Sequence, residues 1–499
     1  MPDEATNDVV TVIVLAAGGG TRMKSKTMKV LHPLAGRSMV GHVLHAVQAL
    51  EPARVVAVVG HQRDQVGPHI EQLLPGVLLA VQDTQEGTGH AVRMAWDALP
   101  AEARRGTVVV AYGDTPLLEG ETLKRFARFH QESAVAMSIL TGIVADPTGY
   151  GRIVRSEESV EAIVEENDAS PDDAAITEIN SGILAFDAAF LEQALPRLGN
   201  DNAKGEYYLT DTVALARQDG RTVAAFAIDD VMQTEGANDR AQLAGLAAEL
   251  NRRILDRWMR AGVTVVDPTN TWVDADVKLA ADVTLLPGVQ LQGATVVEED
   301  AVIGPDCTLK DVEVGAGAKV VRTHAELAVI GSGASVGPFA YLRPGTVLGS
   351  DGKIGTFVET KNSEIGAGAK VPHLSYVGDA TIGEGANIGA GTIFANYDGV
   401  AKHRTTIGAH AKTASNNTFV APVTIGDGAA TGAGSVIRRD VPPGALAVTS
   451  GPQRHYDQWV QEKRAGTAQA EAADRASAAG ERPDGGTPDP DVGDAPAGG

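Results

Sequence analysis

The stretch TIGEGANIG, Thr381–Gly389, sets an isoleucine before a glycine twice, six residues apart, and the pairing continues on both sides of it. Ile330-Gly331, Val336-Gly337 and Ile354-Gly355 precede it, while Ile407-Gly408 and Ile425-Gly426 follow. Within each in-phase group the gaps are 6, 18, 6 and 18, all multiples of six. A helix repeats near 3.6 residues and a strand near 2, so neither gives this rhythm. A parallel β-helix does, because each six-residue stretch makes one side of a coil and turns its aliphatic residue into the bore. Three sides make an 18-residue coil, so residues 277–437 hold about nine coils stacked at ~4.8 Å. Hexapeptide prisms of this kind wind left-handed, with tight corners in place of helical crossovers. The 57 glycines help those corners form.

The 499 residues suffice for two or three domains, each with its own core. Sixty-four acidic against 42 basic side chains give −22, which argues against nucleic acid or an anionic membrane as partner. An anionic small substrate therefore needs a local basic pocket. Cys307, the single cysteine, excludes an internal disulfide, fits a reducing cytoplasm, and reads as a small apolar residue rather than a nucleophile. No apolar run approaches the ~20 residues of a membrane span. MPDEATND, residues 1–8, lacks the layout of a secretion signal and reads as disordered. Residues 464–499 are mostly small, polar or acidic, and read as a disordered tail that cannot offset its chain entropy.

Residues 9–238 carry a different pattern. The apolar run Thr11–Ala17 ends in Gly18-Gly19-Gly20-Thr21-Arg22-Met23, and further apolar runs at Val55–Val59 and Val108–Ala111 alternate with helical spacing such as Val40, Val43, Leu44, Val47 and Leu50. That alternation predicts a mostly parallel sheet with helices on both faces, whose ligands sit at the carboxyl ends of strands. Three glycines let backbone N–H groups approach phosphate, and Arg22 with Lys29 adds positive charge. The spacing is neither the GxxxxGK[ST] loop nor GxGxxG, and a glycine turn alone is often only a tight connection. Asp114, directly after the third strand, is either a turn or cap residue or a Mg²⁺ ligand beside a polyphosphate. Gln82 with Gly87-Thr88-Gly89 offers an amide and a flexible loop suited to a pyrimidine edge. Arg240 to Met259 reads as one helix, with Leu243, Leu246, Leu250, Ile254 and Trp258 on a stripe; 239–262 would link the halves.

As a set, LAAGGGTRMKSKTMKVLHPLAG, QDTQEGTGHA, YGD, PTGYGRI, EINSGI and GEYYLTD resemble sugar nucleotidyltransferases. With PFAYLRPG, FVETKN, HLSYVGD and NIGAGTIFANYDG, the chain from about Val9 to Lys463 resembles the bifunctional N-acetylglucosamine-1-phosphate uridylyltransferase/glucosamine-1-phosphate acetyltransferases. The resemblance implies a Rossmann-like domain followed by a left-handed β-helix over 263–463. The first would transfer UMP from UTP to N-acetylglucosamine 1-phosphate, releasing pyrophosphate; the second would acetylate glucosamine 1-phosphate with acetyl-CoA. Acetylation comes first, and UDP-N-acetylglucosamine, a precursor of bacterial envelope polymers, is the product.

Carried over residue by residue, the resemblance implies that Leu15, Ala16, Ala17 and Gly18 wrap the nucleotide and that Arg22 and Lys29 neutralise pyrophosphate. Gln82, Gly87 and Thr88 would hold uracil, with Tyr112, Gly113 and Asp114 at the neighbouring strand end. Asp114 and Asn238 would carry Mg²⁺, although Asn238 also suits a helix N-cap. Gly151, Glu165 and Asn180 would contact the sugar, with Tyr208 and Thr210 shaping its pocket. In the second half His373 would be the general base, with neighbouring Glu359 able to orient it. Arg343 and Lys361 would grip the sugar phosphate, Tyr376 and Asn387 completing the pocket. Lys402, in an insertion outside the hexad rhythm, is either a phosphate contact across a subunit boundary or a solvated lysine. Asn396, Tyr397 and Ser415 would line acetyl-CoA, with Ala390 and Ala433 as small wall residues. The fold class implies a homotrimer.

The chain departs from the resemblance at Met28, where proline is usual, which predicts a looser loop around Lys29. It departs also at Ser181, Glu166-Asn167 and Ser450-Gly451, the last bearing on CoA affinity. A pyrophosphorylase with a non-catalytic β-helix leaves His373, Arg343, Lys361, Asn396 and Tyr397 without a role. A pure scaffold leaves Arg22, Lys29 and Asp114 unexplained.

Overall fold

The computed structural model describes residues 9–60, 62–156, 159–451 and 453–480. The valine-rich run Val10–Leu15 forms the middle of a twisted sheet. From one side of that sheet to the other the strands are Val223–Ile228, Met137–Ile143, Glu178–Asp187, Thr107–Tyr112, Val10–Leu15, Arg54–Val59 and Leu78–Val81. On this path Glu178–Asp187 alone runs antiparallel to its neighbours, so the sheet is mostly parallel, as the alternation predicts.

Strand alternation sends Ile13, Val56 and Val58 to one face, against helix Thr88–Ala98 and Phe190. Val12 and Val14 go to the other, against helices Met39–Gln48 and Gly120–Ser133. Both faces being covered, the strands read as continuous apolar runs. The carboxyl ends, Leu15 and Tyr112, emerge side by side on neighbouring strands.

Helix Arg240–Arg260 joins the halves. Its start is capped by Asp239, whose carboxylate accepts from the Ala241 and Gln242 amides. Leu246 packs with Met23, Leu34, Met39 and Leu117 of the first domain, whereas Ile254 and Leu255 join the core of the β-helix. A backbone bond from Ala275 to the Ala35 carbonyl (2.9 Å) and an Arg37–Asp276 ion pair tie the two halves directly.

Beyond that helix the chain winds as a parallel β-helix. Thr284 pairs with Val302 and Tyr341 with Glu359, 18 positions along in each case, and every pairing between its strands is parallel. Ile303, Val320, Val336 and Ile354 succeed one another up one side of the bore, all buried. Cys307 lies there too, its thiol pushed up by burial. The corners use left-handed backbone. Asp282, Asp300, Asp351 and Asn416 fit that conformation, because short polar side chains tolerate it, but Phe339, Phe357 and Leu374 adopt it as well.

The end of the chain corrects the composition-based expectation. Residues 481–499 and 1–8 lie outside the described residues, but within the expected tail Ala468–Ala478 is helical, following a short helix at Trp459–Lys463. Thr467 caps the second helix by accepting from the Ala470 amide, Ala470 is buried, and alanine is the best helix former. Eleven residues are too few for alanine propensity and a cap alone, and packing against Trp459–Lys463 with an Arg464–Gln469 bond helps hold the segment.

Burial lowers the pKa of His130 to about 4, against smaller opposing effects of Asp187 and the Phe186 backbone. An unfolded imidazole accepts its proton near 6.5, so this group's contribution is complete above that pH and disappears as pH falls towards 4. The expected loss is on the order of 3 kcal/mol. Urea melts between pH 7 and pH 4 on wild type and His130→Gln check this: the variant should show the shallower decline.

Candidate active sites

The first site forms where the glycine turn meets the strand ends. Ala16 donates to the Val58 carbonyl and Gly113 to that of Leu15, while the Ala17 carbonyl accepts from Gln85, so the turn is fixed from three sides. Gly20 has φ 59, and a Cβ there would land on the Cβ of Lys29. That contact needs glycine. A Cβ on Gly18, by contrast, would meet only open space, leaving room for a ligand.

Lys29 is the centre of this site. Its ammonium lies 2.5 Å from the Asp114 carboxylate and donates to the Asn238 amide oxygen at 2.9 Å. Three positions separated by 85 and 124 residues thus meet at one charge. Asp239 rather than Asn238 caps the helix, which leaves the Asn238 side chain to the site. Met28 is buried and has φ −59, a value open to proline, so its backbone matches what proline would impose, and Lys29 beside it has two polar partners. Arg22 stands exposed on the neighbouring turn.

Beside it lies a cavity of about 260 Å³ whose lining includes Thr88, Tyr112, Gly151, Glu165, Asn180, Tyr208 and Thr210, seven of the residues picked out from sequence. The Thr88 hydroxyl accepts from the Leu209 amide (3.0 Å) and Gly89 donates to the Tyr207 carbonyl (2.8 Å), sewing the Gly87 loop to GEYYLTD. Gln82 is buried, its amide donating to the Gly87 carbonyl at 3.0 Å beside His90. The Thr210 hydroxyl donates to Glu165 at 3.1 Å. Burial, with Glu165 and Asp168, raises the Asp211 carboxyl; burial, with Glu165 and Asp114, raises the Tyr112 phenol. The Tyr208 hydroxyl is buried without a hydrogen-bond partner, a group that a polyhydroxylated ligand would satisfy. A larger cavity of about 510 Å³, lined by Thr107, Ala136 and Thr222, lies at the strands' amino ends, away from this chemistry.

Two oxygen donors, Asp114 and Asn238, form no cage. They suit a hard divalent cation that takes its remaining ligands from phosphate and water. No cluster of three or more His, Cys, Asp or Glu side chains able to hold a metal occurs among the described residues.

The second site is a ladder on the outside of the β-helix. Tyr341, Glu359 and Tyr376 align on successive coils, as do Lys361 and Gly378. A Cβ at Gly378 would strike the Tyr376 hydroxyl, so this glycine lets the phenol lie along the face. The Glu359 carboxylate accepts from Arg343 at 2.8 Å, a partner the sequence reading did not foresee, because coil stacking sets Arg343 next to it. His373 is exposed beside Leu374, Asn387 is exposed, and Ala390 and Ser415 accept backbone bonds from Asn416 and Gly434 one coil further on.

Sequence reasoning missed Asp379. Its buried carboxylate accepts from Asn362 (2.6 Å) and Asn396 (2.5 Å), and Lys361 and Lys402 stand nearby. Burial pushes its pKa up, but the two amides and two ammonium groups outweigh that and lower it. Lys402 faces Lys361 within one chain, and this proximity lowers its pKa. Asp379 occupies a left-handed corner in HLSYVGD, and only the acceptor-rich residue at a corner hints at it.

A polar cavity at the strand ends of an α/β sheet, joined to a hexapeptide β-helix with its own polar ladder, is the architecture of a two-site transferase that joins a nucleotidyltransferase to an acyltransferase. Residues 12–170 match the MobA-like NTP transferase domain. Over 93% of its length the chain is 59% identical to the bifunctional protein GlmU of Kineococcus radiotolerans, covering 95% of that protein. It is 58% identical to that of Rhodococcus opacus and 55% to that of Corynebacterium glutamicum, covering 94% and 96% of them. The chain belongs to the GlmU family, the bifunctional uridylyltransferase/acetyltransferase enzymes of UDP-N-acetylglucosamine biosynthesis. Its substrates are small molecules, nucleotides among them, and members typically use a divalent metal. Among the described residues no helix is long and apolar enough to cross a membrane.

Gly20→Ala should press a methyl group into Lys29 and draw the ammonium away from Asp114 and Asn238. Uridylyl transfer is expected to fall by on the order of tenfold or more, with acetyl transfer unchanged, in separate assays of the two half-reactions.

Proposed function

We propose that residues 9–238 perform uridylyl transfer, 263–463 acetyl transfer, with 239–262 between them and 464–499 as a tail. The observation that carries the first assignment is the Lys29 ammonium held between Asp114 and Asn238, next to the sugar-sized cavity. Leu15 to Gly18 would wrap the triphosphate of UTP, and Gln82, Gly87 and Thr88 would hold uracil. Gly151, Glu165, Asn180, Tyr208 and Thr210 would bind N-acetylglucosamine 1-phosphate so that its phosphate attacks the α-phosphorus in line. Arg22 and Lys29 would balance charge on the departing pyrophosphate. Asp114 and Asn238 would hold Mg²⁺, which when bound draws charge from phosphate oxygens. Lys29 then exchanges its present partners for phosphate.

In the β-helix, Arg343, Lys361 and Lys402 would neutralise the phosphate of glucosamine 1-phosphate, with Tyr376 and Asn387 around the sugar. His373 would take the proton that the amine must lose before attacking the acetyl carbonyl. Asn396, Tyr397 and Ser415 would lie along acetyl-CoA, past Ala390 and Ala433. Glu359 acts in this scheme on Arg343. His373→Ala is expected to abolish acetyl transfer with pyrophosphate release from UTP intact, and Asp114→Ala to do the reverse. Loss of both activities in either variant rejects two independent sites.

The assembly we infer is a homotrimer, and the setting the cytoplasm. Phe339, Phe357 and Leu374 are 53%, 58% and 60% exposed at corners of successive coils, and the two rings stack at 5.4 Å. An apolar edge of that kind calls for cover by another subunit, and His373 stands at its rim. Phe357→Glu should lower the mass measured by light scattering and reduce acetyl transfer, while uridylyl transfer persists. An unchanged trimer mass would remove this edge from the interface.

A further inference from the structure

One coil is longer than its neighbours. Ala380 pairs with Thr405, 25 positions on, whereas Thr405 pairs with Val423 after the usual 18. The excess is a loop, 397–403, that leaves the prism. Apolar packing does not position it: Val400 at its tip is 92% exposed, and Tyr397, Asp398, Ala401 and Lys402 are exposed as well. Its shape comes from polar bonds around Asp398. That carboxylate accepts from the amides of Val400 (2.8 Å) and Ala401 (2.7 Å) and from His403 Nε2 (2.7 Å). A carboxylate only accepts, so Nε2 carries the hydrogen. These donors, the Ala401 amide first, hold the Asp398 carboxyl far below its usual range. The His403 amide in turn donates to the Asn396 carbonyl at 2.8 Å, and Tyr397 pairs with Lys402 across the loop.

The consequence falls on Lys402, which is brought against Lys361 with Asp379 alongside. Two ammonium groups repel. Asp379 offsets part of that repulsion, but the loop that carries Lys402 is exposed, so the lysine keeps its place only if the loop backbone is itself held. We propose that the Asp398–His403 clasp is a positioning device that holds Lys402 opposite Lys361 to receive the dianionic phosphate of the amino-sugar substrate. The inference rests on the reading of Lys402 as a phosphate contact. His403 and Asp398 touch no substrate in this scheme, and they act through the lysine.

Steady-state acetyl transfer by the full-length protein tests it, with glucosamine 1-phosphate varied at saturating acetyl-CoA. His403→Ala is expected to raise KM for glucosamine 1-phosphate on the order of fivefold with kcat little changed, the effect of one lost hydrogen bond. His403→Gln, which keeps an N–H donor, should recover most of the loss, and Asp398→Asn should resemble His403→Ala. The double variant His403→Ala/Lys402→Ala should be no worse than Lys402→Ala alone, because both act through one group. Uridylyl transfer serves as the internal control and should not move. If Lys402→Ala raises KM but His403→Ala does not, the clasp is overturned and the lysine assignment stands. If Lys402→Ala leaves KM unaltered, the lysine assignment fails and the clasp falls with it. Additive losses in the double variant, or a drop in kcat without a change in KM, also reject the clasp.

Discussion

The parallel backbone ladder between successive coils is the constraint on which the acetyl-transfer half depends. Each coil presents its amides and carbonyls to the next at ~4.8 Å, so residues 16 to 25 apart in sequence become neighbours. Arg343 meets Glu359, Asn362 meets Asp379, and Asp379 meets Asn396 only because this register holds. The bore enforces it. A one-residue slip would send Ile354 or Val371 outward and charged groups inward, so the buried aliphatic column fixes the position of each polar group on the surface.

The first domain solves the same problem by other means. Its strands end together, and the loops after them carry the chemistry. Gly20 admits Lys29, and Asp114 and Asn238 converge on its ammonium from the third strand and the entry to the connecting helix. In a chain of net charge −22, anion binding is confined to such local arrangements. Lys29 and Arg22 stand at the strand ends of the first domain, and Arg343, Lys361 and Lys402 on the ladder of the β-helix. Each of these cations except Arg22 lies near a carboxylate, Asp114, Glu359 or Asp379.

Much of this was legible in sequence. The hexad spacing marks the bore, and alternating apolar runs mark the sheet, because both follow directly from burial. Five residues marked for the sugar, Gly151, Glu165, Asn180, Tyr208 and Thr210, line one cavity with Thr88 and Tyr112. Pairings across coils were not legible, since no local pattern shows which corner faces which; hence the Arg343–Glu359 pair and Asp379 passed unnoticed. The helix at Ala468–Ala478 was missed for a related reason. Composition weighs surface burial, whereas a single threonine cap and a run of alanines act through the backbone.

The connecting helix decides how the two chemistries relate. Its 21 residues extend about 30 Å at 1.5 Å each, and both ends are seated in apolar cores. Backbone and ionic ties between Ala35–Arg37 and Ala275–Asp276 brace the junction further. A strut anchored at both ends keeps two sites apart as firmly as it keeps them together. On the proposed assignment of the two chemistries, the product of the β-helix would reach the first domain by diffusion. Charges farther apart than the Debye length, ~8 Å at physiological ionic strength, are largely screened by water and salt, so a strut much longer than that lets each half hold its cations against its own carboxylates.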